Sequence, residues 1–178
     1  MSEVLRKVDT PSAQELGREG LTVSEGWSLE VGRALMEGAR QPHVMDKTPR
    51  DALERFPTMR RAKEWFRDEE KQPLLYSIAD SAIGGAIWFS KQTTEKTDAE
   101  WTFAIRMYEG LSGRGFAGRF LDAAHEDLRE LTGYKGNVWL TTSSVDNDPA
   151  ITLYLNHGYR IINHTDNRFK MIRSLDAE

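Results

Sequence analysis

The stretch LSGRGFAGRF, Leu111 to Phe120, sets Gly113, Gly115, Ala117 and Gly118 directly ahead of an apolar stripe at helical spacing. That stripe runs through Phe116, Ala117, Phe120, Leu121, Ala124, Leu128 and Leu131, and Gly133 follows as a stop. Glycine inside a regular element costs roughly 0.5–1 kcal/mol relative to alanine, so a run of it at a helix start calls for a reason. The first N–H groups of a helix lack intrahelical partners, and the helix dipole adds about half a positive charge there. Small residues let a phosphate reach those amides, and Arg114 and Arg119 can add charge from the rim. A tight strand-to-helix turn without a ligand would use the same residues. The stretch has no GK[ST] ending, which excludes a P-loop; Gly113, Gly115 and Gly118 fit the letters G-x-G-x-x-G, but they follow roughly a hundred residues of other structure rather than a first strand.

Working outward, LLYSIA, IGGAIWFSK and AEWTFAIRMY precede the glycines and read as three strands joined by short polar turns, an antiparallel meander. Asn137 to Thr142 reads as the next strand. Asp148 to Asn156 reads as a short helix closed by Gly158, and Gly158 to Asn163 with Arg168 to Ser174 forms a final hairpin. The crossover from Trp101 to Thr142 makes its two strands parallel neighbours if they share a sheet. Ahead of the meander, Ser2 to Val8 reads as a strand, and Thr10-Pro11 as a helix start. Ser24 to Ala39 reads as a helix, Gln41 to Arg55 as a loop, and Thr58 caps another helix. The class is α+β.

The chain has 178 residues, enough for one domain spanning 1–178 with a substantial core. A net charge of −4 argues against a nucleic-acid partner, and no apolar run approaches the roughly 18 residues of a membrane span. The chain has no cysteine, which rules out disulfides, thiolate metal sites and a cysteine nucleophile and fits a cytoplasmic protein.

The second informative piece is NDPAITLYLNHGY, Asn147 to Tyr159. Together with Ser112 to Ala117 it resembles the GNAT superfamily of N-acetyltransferases. The first piece is similar to that family's [Q/R]-x-x-G-x-[G/A] signature. The second is similar to its N-x-x-A-x-x-L-Y-x-x-x-G-[FY] segment, matching at Asn147, Ala150, Leu153, Tyr154, Gly158 and Tyr159. The resemblance implies a GNAT-like fold: a mixed, mostly antiparallel sheet of about seven strands flanked by helices, with one parallel, splayed strand pair. It implies acetyl-CoA as cosubstrate and no metal. The pyrophosphate would rest on the amides of Gly113, Arg114, Gly115, Phe116, Ala117 and Gly118. The pantetheine arm would run along Ile105, Arg106 and Met107 and past Asn147, and Tyr154 would protonate the departing thiolate. The acceptor would be a small-molecule amine or a protein N-terminus, and a homodimer is compatible with the family.

The sequence departs from the family's pattern in three places. Ser112 replaces the usual Gln or Arg, Glu109 stands where many members have Pro, and, more seriously, Thr142 stands where some members carry a glutamate base. A primary amine has a pKa near 10.4, so deprotonating it near pH 7 costs about 4–5 kcal/mol. Glu100, at the start of the strand before the glycines, is one candidate base, working through water, against a plain solvated strand-end carboxylate. His43 lies in the predicted loop, and His125 falls on the polar side of its helix, where it is expected to face solvent. The missing carboxylate at Thr142 keeps a second reading open, a non-catalytic acyl-CoA-binding sensor or partner-binding domain.

Overall fold

The computed structural model describes residues 4–95 and 97–176. Of the first predicted strand, Ser2 and Glu3 lie outside the described residues, and β1 is Arg6–Lys7. Then come α1 (Pro11–Arg18), β2 (Thr22–Glu25), α2 (Leu29–Gly38), α3 (Pro42–Lys47), a π-helical turn (Asp51–Arg55) and α4 (Met59–Phe66). The second half holds β3 (Leu74–Ala79), β4 (Ile83–Lys91), β5 (Trp101–Met107), α5 (Ala117–Thr132), β6 (Asn137–Ser143), α6 (Asp148–Asn156), β7 (Arg160–Thr165) and β8 (Arg168–Ser174).

Local chemistry sets most of these boundaries. Thr10, Ser28 and Thr58 each accept from a backbone N–H three residues on, capping α1, α2 and α4. Gly133 closes α5 in the left-handed conformation, and Asp166 and Asn167, both at positive φ, turn β7 into β8.

Eight strands form one sheet in the order β1-β2-β3-β4-β5-β6-β8-β7, antiparallel except for β5 and β6. Helices α1 and α5 cover one face over a core that includes Phe89, Phe103, Phe120 and Leu128. On the other face α2, α4 and the π-helical turn pack over Leu75 and Trp88. Trp27 stacks on Phe66 at 5.4 Å, and Phe56, Trp65 and Trp88 meet edge to face. These tryptophans therefore belong to the core.

Three expectations are corrected. The segment Gln41 to Arg55 is not a loop but contains α3 and the π-helical turn, whose buried Val44 and Ala52 are too few to show a period. The helix expected from Ser24 begins at Leu29, because Ser24 and Glu25 belong to β2, a four-residue strand that burial of Val23 alone does not advertise. That strand raises the sheet from about seven to eight strands. His125 does not face solvent: it is 2% exposed, with Nδ1 donating to the Leu121 carbonyl and Nε2 accepting from the Tyr159 hydroxyl at 2.5 Å.

Candidate active site

β5 pairs with β6 only at Trp101–Val138 and Thr102–Trp139; beyond Thr102 the two strands diverge. On its other edge β5 stays paired with β4 to Met107. Gln92 N–H bonds to the Glu100 carbonyl, and Tyr108 N–H to the Gly84 carbonyl. In an antiparallel ladder hydrogen-bonded pairs alternate, so the even-numbered residues of β5 spend their peptide groups on β4. The Phe103 carbonyl and the peptide groups of Ile105 and Met107 therefore point into the gap that β6 leaves. A buried peptide group needs a partner, and this gap offers donors and acceptors to an extended chain carrying amides.

The glycine-rich loop leads from β5 into α5 at the open end of that gap. Gly113 and Gly115 sit at φ +74° and +81°, conformations that favour glycine, with nothing near the position a β-carbon would take. Among the described residues the amides of Gly113, Gly115, Phe116, Ala117 and Gly118 find no protein acceptor, whereas Arg114 N–H reaches the Leu111 carbonyl at 3.4 Å. Two guanidinium groups lie near the Phe116 ring, Arg114 at 5.2 Å and Arg119 at 5.5 Å, and Arg119 is also paired with Glu19. Gly118 serves a different purpose: a β-carbon there would overlap the His157 ring, so its smallness lets α5 approach the end of α6.

A cavity of about 260 Å³ is lined by Met107 from β5, by Gly113, Gly115 and Ala117 from the loop, and by Ala150 and Leu153 from α6. Tyr154, next on α6, turns its ring onto Phe103 of β5 at 5.8 Å. Burial pushes its phenol up to about 12, opposed by the positive charge of Arg106. Among the described residues its hydroxyl has no hydrogen-bond partner. Asn147 does not cap α6; its Nδ2 donates to the buried Thr142 hydroxyl at 2.8 Å.

The Arg106 side chain lies on the other face of the sheet. Its Nε meets Asp51 at 2.6 Å, its guanidinium stacks over Trp88 at 5.0 Å, and its Nη1 donates to the Ile105 carbonyl at 2.9 Å. Asp51 is fully buried and is also held by Arg55 at 2.8 Å. His43, an exposed residue of α3, donates Nε2–H to the Met107 carbonyl at 2.8 Å. Sequence patterning gave no hint of Asp51 or of the His43 contact, since both depend on where a segment without periodicity folds.

The structure thus brings Ile105, Met107, the loop from Gly113 to Gly118, Asn147 and Tyr154 to one gap. Glu100 is not among them. It is exposed at the closed end of the β5–β6 pair, roughly 20 Å along the strand from Met107, with its amide donating to the Tyr134 hydroxyl at 3.1 Å. Among the described residues no cluster of three His, Cys, Asp or Glu side chains is placed to hold a metal, and no helix is long and apolar enough to cross a membrane.

A sheet that opens beside a glycine-rich helix start, with a buried tyrosine across the opening, is the architecture of an acyl-CoA-dependent transferase. Residues 31–159 match the model of the acetyltransferase (GNAT) family, and the chain belongs to that family of acetyl-CoA-dependent N-acetyltransferases. No curated protein matches it in sequence. Solved structures share the fold at low identity. A protein from Bacillus halodurans superposes with a TM-score of 0.71 at 8% identity, over 98% of this chain and 92% of that one. Spermidine N-acetyltransferase from Vibrio cholerae, in complex with CoA and spermine, gives 0.70 at 14%, over 88% and 96%. Aminoglycoside N(6')-acetyltransferase from Legionella pneumophila gives 0.66 at 15%, over 88% and 93%.

Proposed function

We infer that this chain moves an acetyl group from acetyl-CoA to a primary amine by direct attack, with Tyr154 as the acid that protonates the leaving thiolate. The observation that carries this reading is that the unpaired amides of the glycine-rich loop and the Tyr154 phenol flank the same gap. The diphosphate would rest on the amides from Gly113 to Gly118. Arg114, whose own amide is taken, would contribute its charge. Pantetheine amides would pair with the gap-facing edge of Ile105 and Met107, whose N–H groups are free while their carbonyls accept from Arg106 and His43, with Asn147 Oδ1 open as a further acceptor. As the thioester is attacked, negative charge grows on the acetyl oxygen, and an N–H of β5 in the gap is placed to stabilise it.

At about 12 the Tyr154 phenol stays protonated throughout the neutral range. By reference values a phenol is about 1.5 units weaker an acid than a thiol, and burial raises both groups. The same apolar walls disfavour the thiolate, and the nearby Arg106 charge favours the phenolate, so both act toward proton transfer inside the site. Glu100, at the closed end, would act as base only through a chain of waters.

Two of the similar structures are named for acetylation of small amines, spermidine and an aminoglycoside, which supports a small-molecule acceptor; a protein N-terminus is the alternative. Free thiol release from acetyl-CoA across a panel of amines, spermidine included, is the test, and turnover that collapses in Tyr154→Phe is the expected result. Thr142 in place of a carboxylate, with its hydroxyl engaged by Asn147, favours the second reading, an acyl-CoA-binding sensor. Calorimetric binding of acetyl-CoA without thiol release against any amine would select it.

A further inference from the structure

Two of the β5 carbonyls that face the gap are already taken by side chains of this chain. Ile105 accepts from Arg106 Nη1 at 2.9 Å and Met107 from His43 Nε2 at 2.8 Å. The two donors are held very differently. Arg106 is fixed between Asp51 and the Trp88 ring and is 13% exposed. His43 is exposed and sits on a helix of six residues. That helix, α3, spans the open end of the gap. Gln41, just before it, accepts from Glu109 N–H at 2.7 Å beside β5, and Lys47 donates to the Asp146 carbonyl at 2.7 Å beside α6.

A pantetheine N–H that donates to the Met107 carbonyl must take the oxygen that the imidazole holds. A carbonyl has two lone pairs, yet the strand edge presents one in-plane direction to the gap, and a ring and an extended chain do not fit there together. We propose that His43 sets the affinity for the acyl donor by competing with its pantetheine arm for the Met107 carbonyl, and that donor binding exchanges the imidazole for a pantetheine N–H and loosens α3. This rests on the transferase reading above. No covalent step is involved: one hydrogen bond breaks and another forms at the same oxygen. Arg106 keeps the Ile105 carbonyl throughout, so at that residue β5 offers the donor its N–H alone.

The test is calorimetric titration with CoA. His43→Ala removes the competitor, and CoA should bind about 2- to 10-fold more tightly than to wild type, the equivalent of one modest hydrogen bond. His43→Gln retains a side-chain donor and should bind CoA closer to the wild-type value than His43→Ala does. A contact that only braces the strand would give unchanged or weaker binding in His43→Ala, and either result overturns the proposal. Hydrogen exchange on wild type supplies a readout free of any variant. Amides of residues 43–48 should exchange faster when CoA saturates the protein, and protection of that segment contradicts the proposal. If wild type binds no CoA at millimolar concentration, the transferase reading falls and this inference with it. If wild type binds CoA and His43→Ala does not tighten it, the inference alone falls.

Discussion

Tyr154 carries the heaviest chemical claim, and its surroundings make that claim measurable. The phenol packs against Phe103 and Tyr159, both at 5.8 Å, so removing its oxygen leaves the packing intact. In Tyr154→Phe, kcat should fall about 100- to 1000-fold, while the Kd for acetyl-CoA moves less than about threefold; steady-state kinetics beside calorimetry separates the two. The glycines separate by purpose in the same way. Gly118→Ala should cost about 1–3 kcal/mol in a urea melt, because the new methyl displaces His157 from its 2.9 Å contact with Asp122, itself held by Arg173. Gly113→Ala meets open space and carries only the left-handed backbone cost of about 1–2 kcal/mol. Sequence marked the whole run as unusual but could not divide it, since a glycine needed for φ and one needed for close approach leave the same letter. His125 misled for a related reason: its partner is Tyr159, thirty-four positions on, and a helical wheel sees only its own turn.

Among the elements, the π-helical turn fixes β5 through a buried ion pair. It places the fully buried Asp51 between Arg106 and Arg55, and so ties β5 to the segment before α4. Removing one partner of a buried pair strands the other charge, so Asp51→Ala should destabilise by about 3–5 kcal/mol, seen as a lower urea midpoint. The elements that sequence made legible are those with a period or a cap: α1, α4, α5, α6 and the strands from β3 to β8. Those it missed, β2 and α3, have four and six residues, shorter than one reading window. Their places are set by the sheet and the aromatic cluster they pack on, which is tertiary information. Recognition of the family survived those misses because it depends on the order of the β5–α5–β6–α6 run.

At the scale of the molecule, the sheet is one continuous surface that opens at a single parallel pair, and the buried network beside that opening makes stability depend on pH. Burial pushes His125 down to about 3, opposed by its Leu121 hydrogen bond and reinforced by the charges of Arg173 and His157. An unfolded imidazole titrates near 6.5, so between about pH 6.5 and 3 the unfolded chain binds more protons than the folded one. Stability from this group is therefore complete above pH 6.5 and lost as pH falls, by a few kcal/mol. Urea melts at steps from pH 7 to 4 should follow that slope, and His125→Gln should flatten it even though it lowers stability at pH 7. The function depends on the opening itself, and a crystal structure with CoA would show whether it is used. The diphosphate is expected within hydrogen-bonding distance of the amides between Gly113 and Gly118, and the sulfur facing the Tyr154 hydroxyl across the β5–β6 gap. CoA bound away from that gap, or with its sulfur remote from Tyr154, would contradict that function.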